Sequence, residues 1–121
     1  MNVDTFSAAT GYTGKTHQSY PETDNMISQT ASIVLQAVYS GVDSAITISV
    51  QQSMDKINWD NVRDDSGDAY TFSVGGGTAR SGNFCIAFER IHAVYFRVRV
   101  LPGDATEGVV TLNYVTRVIK N

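Results

Sequence analysis

The segment ITISVQQSMDKINWDNV, residues Ile46–Val62, decides the fold that the sequence predicts. Ile46, Ile48 and Val50 alternate with polar residues, which is the period of a β-strand with one buried face. The following SMDKIN contains turn formers, and Trp59 then returns the chain to an apolar environment. The segment therefore predicts a hairpin whose second strand is anchored by tryptophan. We expect this side chain in the core, where a tryptophan buries roughly 150–250 Å².

The composition indicates one globular domain and excludes several function classes. The chain has 121 residues, of which 42% are hydrophobic, and this suffices for a single core. Its net charge of −3 gives no basic field for nucleic acid or anionic lipid, so we expect neither as a partner. No apolar run approaches the roughly 18 residues that span a bilayer, and the N-terminus lacks the features of a signal peptide. We therefore expect a protein that is made in a cytoplasm and is soluble there.

From Thr30 onward, apolar and polar residues alternate in one short segment after another. The segments are Thr30–Ser40, Ile46–Gln51, Ala69–Val74, Phe84–Glu89, Val94–Leu101 and Val109–Lys120. Gly41–Ser44 has the composition of a hairpin connection into the segment that begins at Ile46. One-sided alternation at this spacing predicts an all-β fold, an antiparallel β-sandwich of jelly-roll or immunoglobulin-like type with about six to eight strands.

Residues 1–26 differ from the rest, and we predict a boundary between them and a sandwich domain of residues 27–121. The segment is rich in Thr, Ser, Gly, Asn and Asp and has no strand or helix period. It also carries four apolar or aromatic side chains for which a disordered leader would have little use. These are Val3, Phe6, Tyr12 and Tyr20. Two interpretations stay open. The segment is either a flexible N-terminus or an extended arm whose side chains bind in grooves of a neighbouring protein.

The sequence contains no signature of catalysis. Cys85 is the only cysteine, so an internal disulfide is impossible. Both faces of Phe84–Phe88 are apolar, which indicates a central strand covered on both sides and a buried structural thiol. Neither His17 nor His92 stands in a recognisable nucleophile setting, and no hydrolase, metalloprotease or phosphate-loop motif occurs. We predict a protein that is not an enzyme and binds no cofactor.

Four acidic residues form the best candidate for a metal site. They are Asp60, Asp64, Asp65 and Asp68. Their carboxylates on a flexible loop could supply oxygen ligands to Ca²⁺, but their spacing does not fit the D-x-[DN]-x-[DN]-G calcium loop. A solvated turn accounts for the same residues. We adopt that interpretation and keep the calcium ion as the alternative.

The segment Val94–Leu101 places different residue types on its two faces. Its apolar side chains point one way, while Tyr95, Arg97 and Arg99 point the other. Tyrosine and arginine are favoured at protein contacts because they combine apolar area with hydrogen bonding. These three residues are therefore candidates for binding a partner. The alternative is an ordinary solvated face whose arginines pair with Asp or Glu across the strands.

Two motifs together resemble a known class of proteins. SMDKINWDNV, residues Ser53–Val62, is followed by AVYFRVRVLPG, residues Ala93–Gly103. The pair resembles the pattern "strand, S-x-D-G-x-N-W, strand, Y-hydrophobic-R-V-R-V" of small β-sandwich proteins encoded by tailed bacteriophages. The resemblance covers roughly Ala45–Val100. Lys56 stands where glycine is usual, so we expect the turn to adopt a different backbone conformation.

The resemblance implies a structural protein of the virion. Such proteins are capsid decoration (cement) proteins or minor tail components, which bind the major capsid protein or another virion protein. It also implies a homo-oligomer, a dimer or trimer, assembled in the host cytoplasm. The alternative is a glycan- or ligand-binding module, for example a minor tail or baseplate component, whose site would include Trp59 or Tyr70. An exposed Trp59 would favour ligand binding, and a buried one would favour the structural role.

The same motifs are also similar to the C-terminal half of discoidin-type carbohydrate- or lipid-binding modules. Those modules carry a D-G-x-x-W turn and a Y-V-R-hydrophobic strand, but they are longer, usually secreted, and have cysteines near both ends. This chain has no cysteine there. We therefore attribute this second likeness to features that sandwiches share.

Overall fold

The computed structural model describes residues 1–19, 29–76, 78 and 80–120, and these form two antiparallel sheets around one core. The predicted antiparallel β-sandwich is confirmed, with ten strands among the described residues where we expected about six to eight. The strands are β1 (Asn2–Ser7), β2 (Tyr12–Thr13), β3 (His17–Gln18), β4 (Gln29–Ser40), β5 (Ile46–Ser53), β6 (Asp60–Asn61), β7 (Thr71–Val74), β8 (Gly82–Ile91), β9 (Tyr95–Leu101) and β10 (Val109–Lys120). In the part of the chain that the structure describes, no helix is long and apolar enough to cross a membrane.

The first sheet has the strand order β1-β10-β4-β8. The second sheet has the order β2-β9-β5-β6, in which β3 also pairs with β9 and β7 also pairs with β5. β4 and β5 follow each other in the chain but lie in opposite sheets, so our prediction of a hairpin at Gly41–Ser44 is wrong. The connection instead crosses from one sheet to the other. Val42 anchors it, because this residue is fully buried in the core and its N–H donates to the Arg80 carbonyl at 2.9 Å.

The core consists of the inward residues that strand alternation predicted. From the first sheet come Ile33, Leu35, Ala37, Val110, Leu112 and Tyr114; from the second come Ile46, Ile48, Val50, Phe96, Val98 and Val100. All are at most 2% exposed, so the inward faces of β4, β5, β9 and β10 are buried along most of their length. This buried layer is the main source of stability in a domain of this size.

The N-terminal segment is part of the sandwich as far as residue 19. β1 pairs with β10 along its whole length, from Asn2 opposite Tyr114 to Ser7 opposite Val109. β2 and β3 add to β9 in the other sheet. Residues 20–26 lie outside the described residues, so the domain boundary at residue 26 stays a prediction.

Cys85 is exposed, and our prediction of a buried thiol on a central strand is wrong. Its strand, β8, is paired with β4 and ends the described order of the first sheet. The small apolar side chains on the Cys85 face of β8 lie on the outer face of that sheet. An apolar pattern on both faces therefore includes an exposed outer face here, and not a second buried layer.

Candidate partner-binding surface

The turn between β5 and β6 is shaped by one carboxylate. Asp55 Oδ1 accepts the N–H groups of Ile57 and Asn58 at 2.9 and 2.8 Å, and Oδ2 accepts Asn58 Nδ2 at 2.7 Å. Ser53 Oγ donates to Asp55 Oδ1 and accepts the Lys56 N–H, both at 2.9 Å. These hydrogen bonds hold the pKa of Asp55 well below its usual range. The two backbone bonds have the largest effect, and the bonds from the Asn58 and Ser53 side chains have a smaller one. The turn therefore has one defined conformation.

Lys56 adopts a left-handed backbone conformation, which favours glycine. Its φ is +65°, and it is the only non-glycine residue with a positive φ in the described part of the chain. Our expectation of a different conformation at this position is therefore wrong. A side chain in the left-handed region costs roughly 1–2 kcal/mol. The lysine ammonium lies 4.6 Å from the centroid of the Tyr95 ring, which is a cation–π contact that partly offsets this cost.

Trp59 is half-buried on the outer face of the second sheet, so our prediction of a core tryptophan is wrong. The inward residue of this segment is Val62, which is fully buried. The tryptophan belongs to the turn, which folds back over the sheet, and its Nε1 donates to the Lys56 carbonyl at 3.3 Å. The Arg97 guanidinium carbon lies 4.2 Å from the centroid of its ring.

On β9, the side chains of Tyr95, Arg97 and Arg99 lie on this same outer face. The residues that alternate with them, from Phe96 to Val100, are buried in the core. Tyr95 is only 9% exposed, whereas the two arginines are half-buried. Burial lowers the pKa of Arg97, and the like charge of Arg99 lowers it further.

The arginines of β9 have neutral neighbours on β5. Gln51 is opposite Arg97 and Ser49 is opposite Arg99, and Arg97 Nε donates to Gln51 Oε1 at 2.8 Å. The ion pairs found among the described residues, Arg63–Asp60 and Arg80–Glu107, lie elsewhere. The cross-strand pairing with Asp or Glu that we considered is therefore not seen in the described structure.

We call Lys56, Trp59, Tyr95, Arg97 and Arg99 the cationic face. It contains three positive charges and two aromatic rings, although the chain as a whole has a net charge of −3. Arginine and aromatic residues are the types that dominate the energetics of protein contacts. A surface of this kind can bind carboxylate or carbonyl groups of a partner through charge-assisted hydrogen bonds.

The other predicted partner-binding residues lie apart from the cationic face. Val3 is 56% exposed on the outer face of the first sheet. Phe6 and Tyr12 stack on each other with ring centroids 5.0 Å apart, and both pack against the chain's own core. Tyr20 lies outside the described residues. Binding of a partner by these four residues stays a prediction, and in this structure two of them serve intramolecular packing.

A polar cluster between the sheets was not found from the sequence. Tyr114 Oη donates to Asp4 Oδ2 at 2.8 Å, and His17 Nε2 lies 3.2 Å from the same hydroxyl. Burial, together with the bond to Asp4, raises the pKa of Tyr114 well above its usual range and that of Tyr12 to about 12. These bonds join the N-terminal strands to β10. Asp4 and His17 stand at the other end of the chain from Tyr114, so no local pattern could reveal the contact.

The acidic residues serve the turn between β6 and β7. Asp60 pairs with Arg63 at 2.9 Å, and Asp64 Oδ1 accepts the N–H groups of Ser66 and Asp68 at 2.9 and 3.0 Å. Within the described ranges, no three His, Cys, Asp or Glu side chains are grouped so that they could hold a metal ion.

An open groove lies between this turn and β8. It has a volume of about 500 Å³, and Arg63, Asp65, Tyr70, Cys85 and Glu89 contribute to its lining. The Tyr70 ring packs on Phe88 with centroids 5.1 Å apart. The groove thus combines one aromatic ring with charged side chains.

Comparison with protein-family models and with curated proteins finds no match for this chain. Function is therefore inferred from the surfaces described above.

Proposed function

We propose that this chain is a non-enzymatic structural protein of a bacteriophage particle, a capsid decoration protein that bridges shell subunits. One observation carries the proposal: the two motifs that resemble phage accessory proteins are in direct contact. Lys56 and Trp59, from the first motif, lie on Tyr95 and Arg97, from the second. Both motifs thus contribute to one surface of the kind that binds proteins.

The cationic face is prepared for binding before a partner arrives. Arg97 is held by Gln51 and by the Trp59 ring, so little side-chain entropy remains to be lost when it binds. Its guanidinium is already partly desolvated, which reduces the further cost of burial. The partner that fits is an acidic or carbonyl-rich surface of the major capsid protein or another virion protein.

Adhesion of this kind needs no covalent chemistry and no cofactor. A rigid sandwich that binds adjacent shell subunits stabilises them because separating the subunits would break both contacts. The location implied is the virion, after assembly in the host cytoplasm, and we propose that the protein self-associates there as a dimer or trimer.

The test uses phage particles that lack the protein. Purified chain is added, and its binding is measured by co-sedimentation with the particles. An Arg97→Ala, Arg99→Ala double variant should bind at least about tenfold more weakly, which corresponds to about 1.4 kcal/mol. The matched control is Arg80→Ala, which removes an exposed arginine that pairs with Glu107 away from this face. Failure of the wild-type chain to bind, or equal binding by the double variant, would refute the proposal.

A second candidate function is ligand binding in the groove at Tyr70. Its volume of about 500 Å³ falls in the usual range of roughly 300–1,000 Å³ for small-molecule sites. An aromatic ring beside charged groups is suited to a sugar. The position of Trp59 outside the core also favours this candidate by the criterion given above, but Arg97 covers one face of its ring. Titration with host-surface oligosaccharides, followed by NMR, tests this candidate: shifts confined to the groove and abolished by Tyr70→Ala would support it, and their absence would reject it.

A further inference from the structure

The outward strand positions of the first sheet carry no charge where its four strands lie side by side, although Arg63, Asp65 and Glu89 border them in the groove beside β8. At the level of Val109–Val115, the outward positions of β1, β10, β4 and β8 contain no Asp, Glu, Lys or Arg. A solvated protein surface ordinarily has about a quarter to a third of such residues. This face instead exposes four valines: Val3 by 56%, Val109 by 51%, Val115 by 44% and Val38 by 41%.

Two of the four outward rows match in polarity across the seam between β10 and β4. Val115 is opposite Val34. In the next row Asn113 is opposite Gln36, with Asn113 Nδ2 and Gln36 Oε1 3.5 Å apart. In the third row Thr111, whose methyl group is apolar, is opposite Val38. The first two rows are thus similar on both sides of the seam, whereas the fourth row, Val109 opposite Ser40, is not.

We propose that this uncharged face binds a second copy of the chain around a twofold axis parallel to the seam. Such an axis sets β10 of one copy against β4 of the other, row against row, apart from the small angle that sheet twist adds. Val115 then meets Val34 of the second copy, and Asn113 meets its Gln36. Valine is buried against valine, and amide can bond to amide.

Charge favours a second copy over an unrelated partner. Two chains of net charge −3 repel each other least through a surface without charge. Where the residues that the twofold axis brings together have the same polarity, the face is complementary to a second copy of itself. Binding of a different protein would not require this symmetry. The inference assigns a surface to the self-association proposed above, but it does not rest on the binding of shell subunits, because the cationic face lies on the other sheet and stays free.

The area of the face is that of a small interface. The face is four strands wide, at about 4.8 Å per strand, and extends over Val109–Val115, at about 3.4 Å per residue. Its area is therefore about 450 Å² per copy. The pair buries about 900 Å², which is in the range of weak and reversible complexes, below about 1,200 Å². We therefore expect a weak, reversible dimer, with both monomer and dimer populated within about 1–500 µM chain.

The first experiment is sedimentation equilibrium over about 1–500 µM chain. The wild-type chain should pass from monomer to dimer, and Val115→Lys should weaken the dimer at least about tenfold because it buries an unpaired charge. The control is Ser73→Lys, which adds the same charge to an exposed position on the second sheet. A monomer at every concentration, or a Val115→Lys dimer as strong as the wild type, would overturn the proposal.

The second experiment tests the alignment of the two copies. The proposed axis sets Val3 of one copy against Cys85 of the other, because both lie in the row of Asn113 and Gln36. Val3→Cys should therefore be joined to Cys85 of the second copy by a bis-maleimide crosslinker that spans about 10 Å, the distance between facing sheets, which is too long for a direct disulfide. Ser7→Cys, two rows away by about 14 Å, is the matched control and should not. Equal crosslinking of both variants, or none in either, would reject this axis.

Discussion

The guanidinium carbon of Arg97 lies 4.2 Å from the centroid of the Trp59 ring. Arg97 belongs to β9, whereas Trp59 belongs to the turn before β6, so the contact fixes the turn on the sheet. Gln51 holds the same guanidinium from β5 at 2.8 Å. The ring and the charge therefore form one unit on the outer face of the second sheet, and a change in either residue affects both.

The first prediction concerns the stability that this unit provides. Trp59→Ala should lower the free energy of unfolding by about 1–2 kcal/mol, since the side chain is half-buried and one cation–π contact is lost. Phe96→Ala, at a core residue that is 1% exposed, should cost about 3–5 kcal/mol. Urea unfolding of both variants measures the difference. Equal losses would contradict the placement of Trp59 outside the core.

The second prediction concerns the strained position in the turn. Lys56→Gly and Lys56→Ala both remove the contact with Tyr95, but only glycine removes the strain of a φ of +65°. We expect the glycine variant to be more stable than the alanine variant by about 1 kcal/mol. Thermal unfolding at one pH compares them. If alanine is equally stable, the left-handed conformation at this position is not costly.

The third prediction concerns acid. Asp43 accepts the N–H groups of Thr106 and Glu107 at 2.9 and 3.0 Å and also accepts the Thr106 hydroxyl. These bonds lower the pKa of Asp43 from 3.8 to about 2, and the bond from the Thr106 hydroxyl has the largest effect. A carboxyl whose pKa is lower in the folded state stabilises the fold above its unfolded pKa and loses this effect as pH falls through the folded pKa.

Stability should therefore decline as the pH falls from 3.8 towards about 2. Asp43→Asn should remove part of this decline, because the amide cannot titrate. The measurement is the urea midpoint at several pH values in this window, with wild type and variant side by side. Curves that stay parallel over the whole window would show that Asp43 is not responsible.

The fold was predictable because alternation in β4, β5, β9 and β10 is regular and each of these strands buries one face. That alternation alone identifies Ile33, Leu112 and Val98 as inward residues. It also places Arg97 and Arg99 on the opposite face of β9. Strand periodicity is a local property of the backbone, so it can be recognised without knowledge of the partner strands.

The errors have a common physical cause. Trp59 is in a turn, where strand periodicity does not determine the direction of a side chain. At Gly41–Ser44, composition indicated a turn but could not tell whether the next strand joins the same sheet. The contact of Tyr114 with Asp4 depends on how the chain ends meet in the fold, which no short window of sequence contains.

The last prediction uses the exposed thiol of Cys85. In a dilute solution of monomer, a thiol-specific reagent should modify native Cys85 at a rate within about tenfold of that in the unfolded chain, since no opening of the fold is required. The reaction should slow as the chain concentration passes through the dimer range, because the proposed interface covers Cys85. Val115→Lys, which weakens the dimer, should keep the fast rate throughout. A native thiol that reacts only on unfolding would contradict its exposure, and a fast rate at all wild-type concentrations would contradict the interface.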